Sequence, residues 1–140
     1  MKKMIYPALV VAILSTSAYA ADSNCYVLGV HEPGTNIYDG PTFCARTVLS
    51  DITVRGPLQL DGTTISGLTT VSGPIKASSA NLQSLLLKEN LTSQEVYLLA
   101  NSVVQGDITF EGKEGTVHLQ AGSSIKGKVI NGQVVEEKGK

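Results

Sequence analysis

Four side chains in this sequence lend themselves to chemistry by type: Cys25, Cys44, His31 and His118. Two thiols in one chain can oxidise to a disulfide or act as metal-binding thiolates, with His31 between them as a third donor. The metal reading lacks a second histidine or a fourth ligand nearby. A bridge would close a loop of about 20 residues and contribute roughly 3 kcal/mol through lost chain entropy, so a Cys25–Cys44 disulfide is expected. His118 stands between Val117 and Leu119. On a strand those two point inward and the imidazole outward, to solvent rather than to a catalytic partner. His31-Glu32 is not followed by a second histidine four residues on, which removes the metalloprotease helix motif. No serine stands in Gly-x-Ser-x-Gly, and the phosphate-cradling Gly-x-x-x-x-Gly-Lys is missing. The sequence therefore predicts no catalytic residues, no metal and no cofactor.

Reading the cysteines as a bridge requires an oxidising compartment, and the first twenty residues supply an address. Met1-Lys2-Lys3 is a basic start, Ile5 to Leu14 an apolar run broken by Pro7, and Ala18-Tyr19-Ala20 a signal-peptidase ending. Ten apolar residues are too few to span a bilayer. Cleavage is expected between Ala20 and Ala21, and the two-lysine start has a bacterial character. A lipoprotein would need small apolar residues before Cys25, where Asp22-Ser23-Asn24 stands. The expected location is the bacterial periplasm or the exterior, and no later segment reads as membrane-spanning. Hydrophobic residues make up 42% of the 140-residue chain and charged residues 16%, too apolar a balance for disorder. A net charge of −1, falling to −3 once Lys2 and Lys3 are removed, argues against nucleic acid as a partner.

What must position these groups is a repeat. The phrase apolar-x-Gly-x-apolar occurs as Val54 to Leu58, Val71 to Ile75, Val104 to Ile108 and Ile125 to Val129, centred on Gly56, Gly73, Gly106 and Gly127. Leu87 to Leu91 fills the gap as a degenerate copy. The phrase starts fall at intervals of 17, 16, 17 and 21. The last interval is lengthened by the polar turn Glu111-Gly112-Lys113-Glu114-Gly115. With four residues of that turn set aside, eleven residues after each start stand Ile65, Leu82, Leu98 and Leu119, and thirteen after stand the small residues Gly67, Ser84, Ala100 and Ala121. A weaker copy begins at Ile37, with Val48 and Ser50 in those two places. The residues just after the starts, Arg55, Ser72, Lys88, Gln105 and Lys126, are polar throughout.

A period near 17 with two-residue alternation inside it suits short strands joined by tight corners. The predicted fold is all-β: a single-stranded β-solenoid in which each coil pairs with the next and equivalent columns stack. Ile65, Leu82, Leu98 and Leu119 are expected to form one core ladder, and the four phrase glycines to turn the corners. A small β-sandwich would account for the strands but not for the shared columns.

The phrase and its spacing, over roughly Asp51 to Val135, resemble the bactofilins, the polymer-forming β-helix proteins of bacteria. The resemblance implies a right-handed, three-sided β-helix that associates end to end through its terminal coils. Bactofilins are cytoplasmic, whereas this chain opens with an export signal and carries the Cys25–Cys44 segment, which has no place in that pattern.

The expected organisation is a signal peptide over 1–20, an N-terminal cap with the Cys25–Cys44 bridge over 21–50, a solenoid over 51–135 and a charged tail over 136–140. The cap covers one open β-edge; the other, near Gln133-Val134-Val135, is bare, and bare edges invite pairing. Other solenoid functions fit poorly. Ice binding needs stacked threonines, and the column beginning at Thr64 continues as Asn81, Tyr97 and His118. Hexapeptide acyltransferases need a six-residue period, and polysaccharide-cleaving β-helices are far larger. The expected function is that of an exported, non-enzymatic structural or interaction module of the bacterial envelope. Its partner would be a second copy, an envelope protein or a polysaccharide. The alternative is a secreted binding or effector protein that presents a solenoid face to a host or a polysaccharide.

Overall fold

Alternating inward and outward residues, cut every few positions by glycine, proline or a short polar turn, make strands too short to pair with their own continuation. They pair instead with the same segment one coil away. In a computed structural model that describes residues 25–89, 94–120 and 122–137, the chain is a β-solenoid of about six turns with coils of roughly 17 residues. The predicted signal peptide and its cleavage site, Ala121, and 138–140 of the tail lie outside the described residues.

Three faces form the coil. Face A is the seven-stranded sheet, in stacking order β1 (Cys25–Val27), β4 (Thr42–Ala45), β7 (Leu58–Asp61), β9 (Ile75–Ser78), β11 (Glu95–Leu99), β14 (Gly115–Gln120) and β17 (Gly132–Glu137). The ten-stranded sheet supplies the other two, because β8 (Thr64–Val71) and β10 (Asn81–Leu87) run through a corner. Face B takes β5 (Val48–Leu49), the starts of β8 and β10, β12 (Val103–Val104) and β15 (Ser124–Ile125). Face C takes β2 (Val30–His31), β3 (Ile37–Asp39), β6 (Ile52–Arg55), the ends of β8 and β10, β13 (Ile108–Phe110) and β16 (Val129–Ile130). All coil-to-coil pairings are parallel; only β1 on β4 and β2 on β3 are antiparallel.

The expected single ladder is two ladders. Ile65 and Leu82 stack with Val104 and Ile125 on face B. Leu98 and Leu119 stack under Cys44, Leu60 and Ala77 on face A. The cause is chain length: seven residues separate the end of β10 at Leu87 from the start of β11 at Glu95, where earlier coils have two or three between faces C and A. Leu87 does stack on Val71 and Val54, but its next neighbour is Phe110, not Val104. The same shift splits the glycines. Gly56 and Gly73 turn from face C to face A, whereas Gly106 and Gly127 turn from face B to face C. All four remain at corners. A Cβ on Gly73 would stand 2.8 Å from the backbone of Gly56, so that corner admits no side chain. It splits the column from Thr64 as well: Thr64 and Asn81 face out of B, Tyr97 and His118 out of A.

The first coil also differs from expectation by one residue. Ile37 pairs with Thr53 and Val48 with Thr64, so the core positions are Tyr38 and Leu49 while Val48 is exposed. A one-residue slip exchanges the two faces of a strand. Parallel stacking therefore begins at β3, and the cap proper is β1 and β2, shorter than the expected 21–50. The charged tail is also shorter, since Glu136 and Glu137 belong to β17. Cys25 opposes Cys44 across β1 and β4, and the two form a disulfide. The bond removes both thiols from metal binding and accords with folding in an oxidising, non-cytoplasmic compartment.

The inner lining is mostly apolar; buried polar residues are Thr42 on face A, Thr69 on face C, Gln94 before β11, and Thr47, Thr63 and Ser102, which stack with Ala80 at the corner from face A to face B. Thr63 donates to the carbonyl of Cys44 at 3.1 Å, and Ser102 to that of Leu99 at 2.7 Å. Just before this column, Arg46, Gly62, Ser79, Ala100, Asn101 and Gly122 take positive φ.

Leu98 is fully buried and Leu119 partly so. Leu98→Ala is expected to cost about 2–5 kcal/mol, Leu119→Ala less, and the outward Gln105→Ala under about 0.5 kcal/mol. Urea unfolding of the three variants checks this; equal costs at Leu98 and Gln105 would contradict the column assignment. The disulfide predicts that the native protein resists thiol alkylation until it is reduced and unfolded, and two labelled thiols in the oxidised sample would contradict it.

Candidate functional site on face A and at the C-terminal edge

Alternation along face A sends one residue per strand outward into a common column: Tyr26, Phe43, Gln59, Lys76, Tyr97, His118 and Val135, paired neighbour to neighbour. Steps between strands are about 4.8 Å, so the column runs along the solenoid axis. Two residues earlier in three of these strands' entries stand Pro41, Pro57 and Pro74, a parallel row at the corner from face C. Between the two rows lies a groove of about 500 Å³. Thr42, Leu58 and Ile75, whose side chains are buried, form its floor, and Tyr26 and Leu28 of the cap close its N-terminal end. Lys76 is the one lining residue with a formal charge at neutral pH.

Beyond Tyr97 the column changes character. The Tyr97 and His118 rings stack at 4.3 Å and 6°. His118 Nδ1 lies 2.7 Å from Glu137 Oε2 and its Nε2 3.0 Å from Glu95 Oε1. Carboxylates only accept, so both contacts together need a hydrogen on each ring nitrogen. The Tyr97 hydroxyl donates to Glu95 Oε1 at 2.7 Å. That bond, then those from His118, hold the Glu95 carboxyl below the usual carboxylate range; the same bond pushes the Tyr97 phenol up. His118 and then Gln120 hold the Glu137 carboxyl down. The outward direction expected for His118 is met, but the ring is only 18% exposed and engaged on both sides. It ties β17 to β14 and β11. His31 is engaged too: its ring stacks on Tyr38 at 4.3 Å, and its Nε2 contacts the carbonyl oxygen of Thr35 at 2.6 Å.

The two ends of the solenoid differ. At the N-terminal end β1 and β2 lie antiparallel across faces A and C. At the other end β17 pairs with β14 and has no outer neighbour among the described residues. Val134 continues the inward column of Leu58, Ile75, Val96 and Val117, each 1% exposed or less, yet is itself 43% exposed.

No protein-family model, curated protein or solved structure matches the chain. The class defined by its geometry is the β-solenoid. No helix among the described residues is long and apolar enough to cross a membrane. Of the residues singled out in the sequence, the structure brings Cys25 and Cys44 together and leaves His31 and His118 on different faces. It adds Tyr26, Phe43 and Tyr97, which no motif marked, because an outward column becomes visible only once the strand register is known.

The lowered carboxyls fix a pH dependence. Stability from Glu95 and Glu137 is fully present above the unfolded glutamate value of about 4.3 and is lost as pH falls through their lower folded values. His118→Ala should therefore lower the melting temperature at neutral pH, and the gap to the parent should close as pH falls below about 4. A gap that stays constant in melting curves across that range would contradict the network.

Proposed function

We propose that the protein is an exported, non-enzymatic structural module of the bacterial cell envelope, periplasmic or secreted, that assembles with a second copy of itself through its C-terminal coil. The observation that carries this reading is the exposure of Val134 at a core position on an edge strand, at the end opposite the one where antiparallel β1 and β2 interrupt the parallel stacking on faces A and C. A core column that ends in the open continues favourably into another apolar column, and the unpaired groups of β17 can accept a further strand. With antiparallel strands interrupting the parallel lattice at one end, the closed arrangement is a two-fold dimer using the edge at the other end on both copies.

Side-chain alternation limits the register, since residues directly opposite in an antiparallel pair share a face. Centring the axis on Val134 sets it against Val134 of the second copy, Gln133 against Val135 and Gly132 against Glu136, so no carboxylate faces another. Centring it on Val135 would press Glu136 against Val134 in the core, which is costly. The likeness of the repeat to bactofilins supports an assembling role. The engagement of both histidines in structural contacts supports a non-enzymatic one.

Light scattering of the mature protein should give twice the chain mass. Val134→Lys, which opposes two ammonium groups at the axis of the dimer while leaving the buried coils intact, should give a single chain. A parent that stays monomeric at high concentration would overturn the proposal, as would a variant that still pairs. Growth into long filaments would show that β1 and β2 do not block the N-terminal end.

A further inference from the structure

We propose that the groove on face A binds an extended acidic polysaccharide, with its chain laid along the solenoid axis. This inference is independent of the assembly described above, which uses the end of the solenoid rather than its side.

Three features select the ligand class. First, the groove floor cannot accept a peptide by strand addition. Its strands β4, β7 and β9 are internal to the sheet, each with a hydrogen-bonded neighbour on both sides, and strand addition needs a free edge. Recognition must come from side chains. Second, those side chains are aromatic faces with a few polar groups between them: Tyr26 and Phe43 at one end, Tyr97 at the other, and Gln59 and Lys76 in the middle. Tyr26 is 65% and Phe43 37% exposed, large values for apolar rings on a well-packed solenoid. The negative face of an aromatic ring attracts the polarised C–H groups on the flat side of a pyranose. The amide and the ammonium suit hydroxyl and carboxylate groups. Third, Lys76 is the only formal charge in the lining and is exposed; on a chain of net negative charge it is the one group in the groove that can pair with a ligand carboxylate. A polymer with one carboxylate per repeat offers that charge at every register, which matches a site whose own elements repeat every 4.8 Å or so.

The groove is open to solvent along its length, with a volume of about 500 Å³, within the range of small-molecule sites. The proline row gives it a rigid lip, because Pro41, Pro57 and Pro74 have fixed φ and little freedom to lose on binding. The cap takes part directly: Tyr26 and Leu28 wall one end, so the Cys25–Cys44 bridge also holds part of the site in place.

The test is affinity electrophoresis of the mature protein through gels containing polygalacturonate, dextran or poly-glutamate, with each dissociation constant read from the retardation. The expected result is retardation by polygalacturonate that weakens as salt rises, and little by the neutral dextran or by poly-glutamate, which has the charge without the rings. Phe43→Ala and Tyr26→Ala should each weaken binding about tenfold or more. Lys76→Gln should reduce the preference for the acidic polymer over dextran, and Lys76→Glu should abolish binding. These side chains point away from the core, so circular dichroism and melting temperature should stay near the parent's. Absence of retardation by polygalacturonate would overturn the proposal. So would equal retardation by poly-glutamate, which would show a site that reads charge alone, or binding unchanged by Phe43→Ala. Loss of self-association in Phe43→Ala, seen by light scattering, would also overturn it by showing that a second copy occupies the groove. The Val134→Lys monomer should still be retarded by polygalacturonate and still lose that retardation on Phe43→Ala, which separates failure of this proposal from failure of the assembly.

Discussion

Everything in this molecule depends on parallel, in-register stacking of one coil on the next. Each internal strand gives its backbone groups to the coil above and the coil below, so the sheet needs no hairpins and no long-range sequence pairing. What it does need is that each column hold residues of compatible size. Ile65, Leu82, Val104 and Ile125 form one such column, and Cys44, Leu60, Ala77, Leu98 and Leu119 another. Corners carry the geometric strain. At one of them residues in the left-handed region recur coil after coil; at another, Gly73 sits so close to Gly56 that no side chain fits.

Stacking solves the interior and leaves the ends. An end coil has one sheet surface without a neighbour and core columns that stop in the open. On faces A and C the N-terminal end is finished by reversing the chain: β1 and β2 run antiparallel to the first coil, which ends the parallel lattice there. Such a cap is small, with few buried contacts of its own. The disulfide holds Cys25 to Cys44, a member of the face A ladder, and so fastens the cap to the core itself. The buried Tyr38, with His31 stacked on it, does the same on face C. At the far end the fastening is polar. Glu137, the last residue of β17, reaches back to His118, which reaches in turn to Glu95.

The sequence made the repeat, the solenoid and the bridge legible because each leaves a local mark: a spaced glycine phrase, alternation, and a single pair of cysteines. Column membership was legible only between insertions. Ile65 with Leu82 and Leu98 with Leu119 are true ladder pairs, but Lys88 to Gln94 moves the second pair to another face. Extra length of that kind has no signature in a chain read by period, since Leu87 to Leu91 mimics the phrase. The first coil slipped by one residue because Ile37 and Val48 are more apolar than they need to be at outward positions. The corner from face A to face B was missed because Arg46, Ser79 and Ala100 occupy positions where glycine would have announced it. The groove was the least visible feature. Its rings come from strands of unequal spacing and, for Tyr26, of opposite direction.

Side and end are separate resources in a solenoid, and their separation has a consequence for function. A two-fold axis through β17 and perpendicular to face A leaves face A of both copies on the same side of the dimer, with the two grooves in line along the common axis. In the proposed dimer a polymer long enough to reach both would meet two sites held at a fixed separation by a continuous sheet. The second binding event would become intramolecular, so the pair would hold such a polymer more tightly than either groove alone without any new contact. Stacking fixes the column of Tyr26, Phe43, Gln59, Lys76 and Tyr97 strand by strand, and the His118 contacts to Glu95 and Glu137 lie between that column and the C-terminal edge.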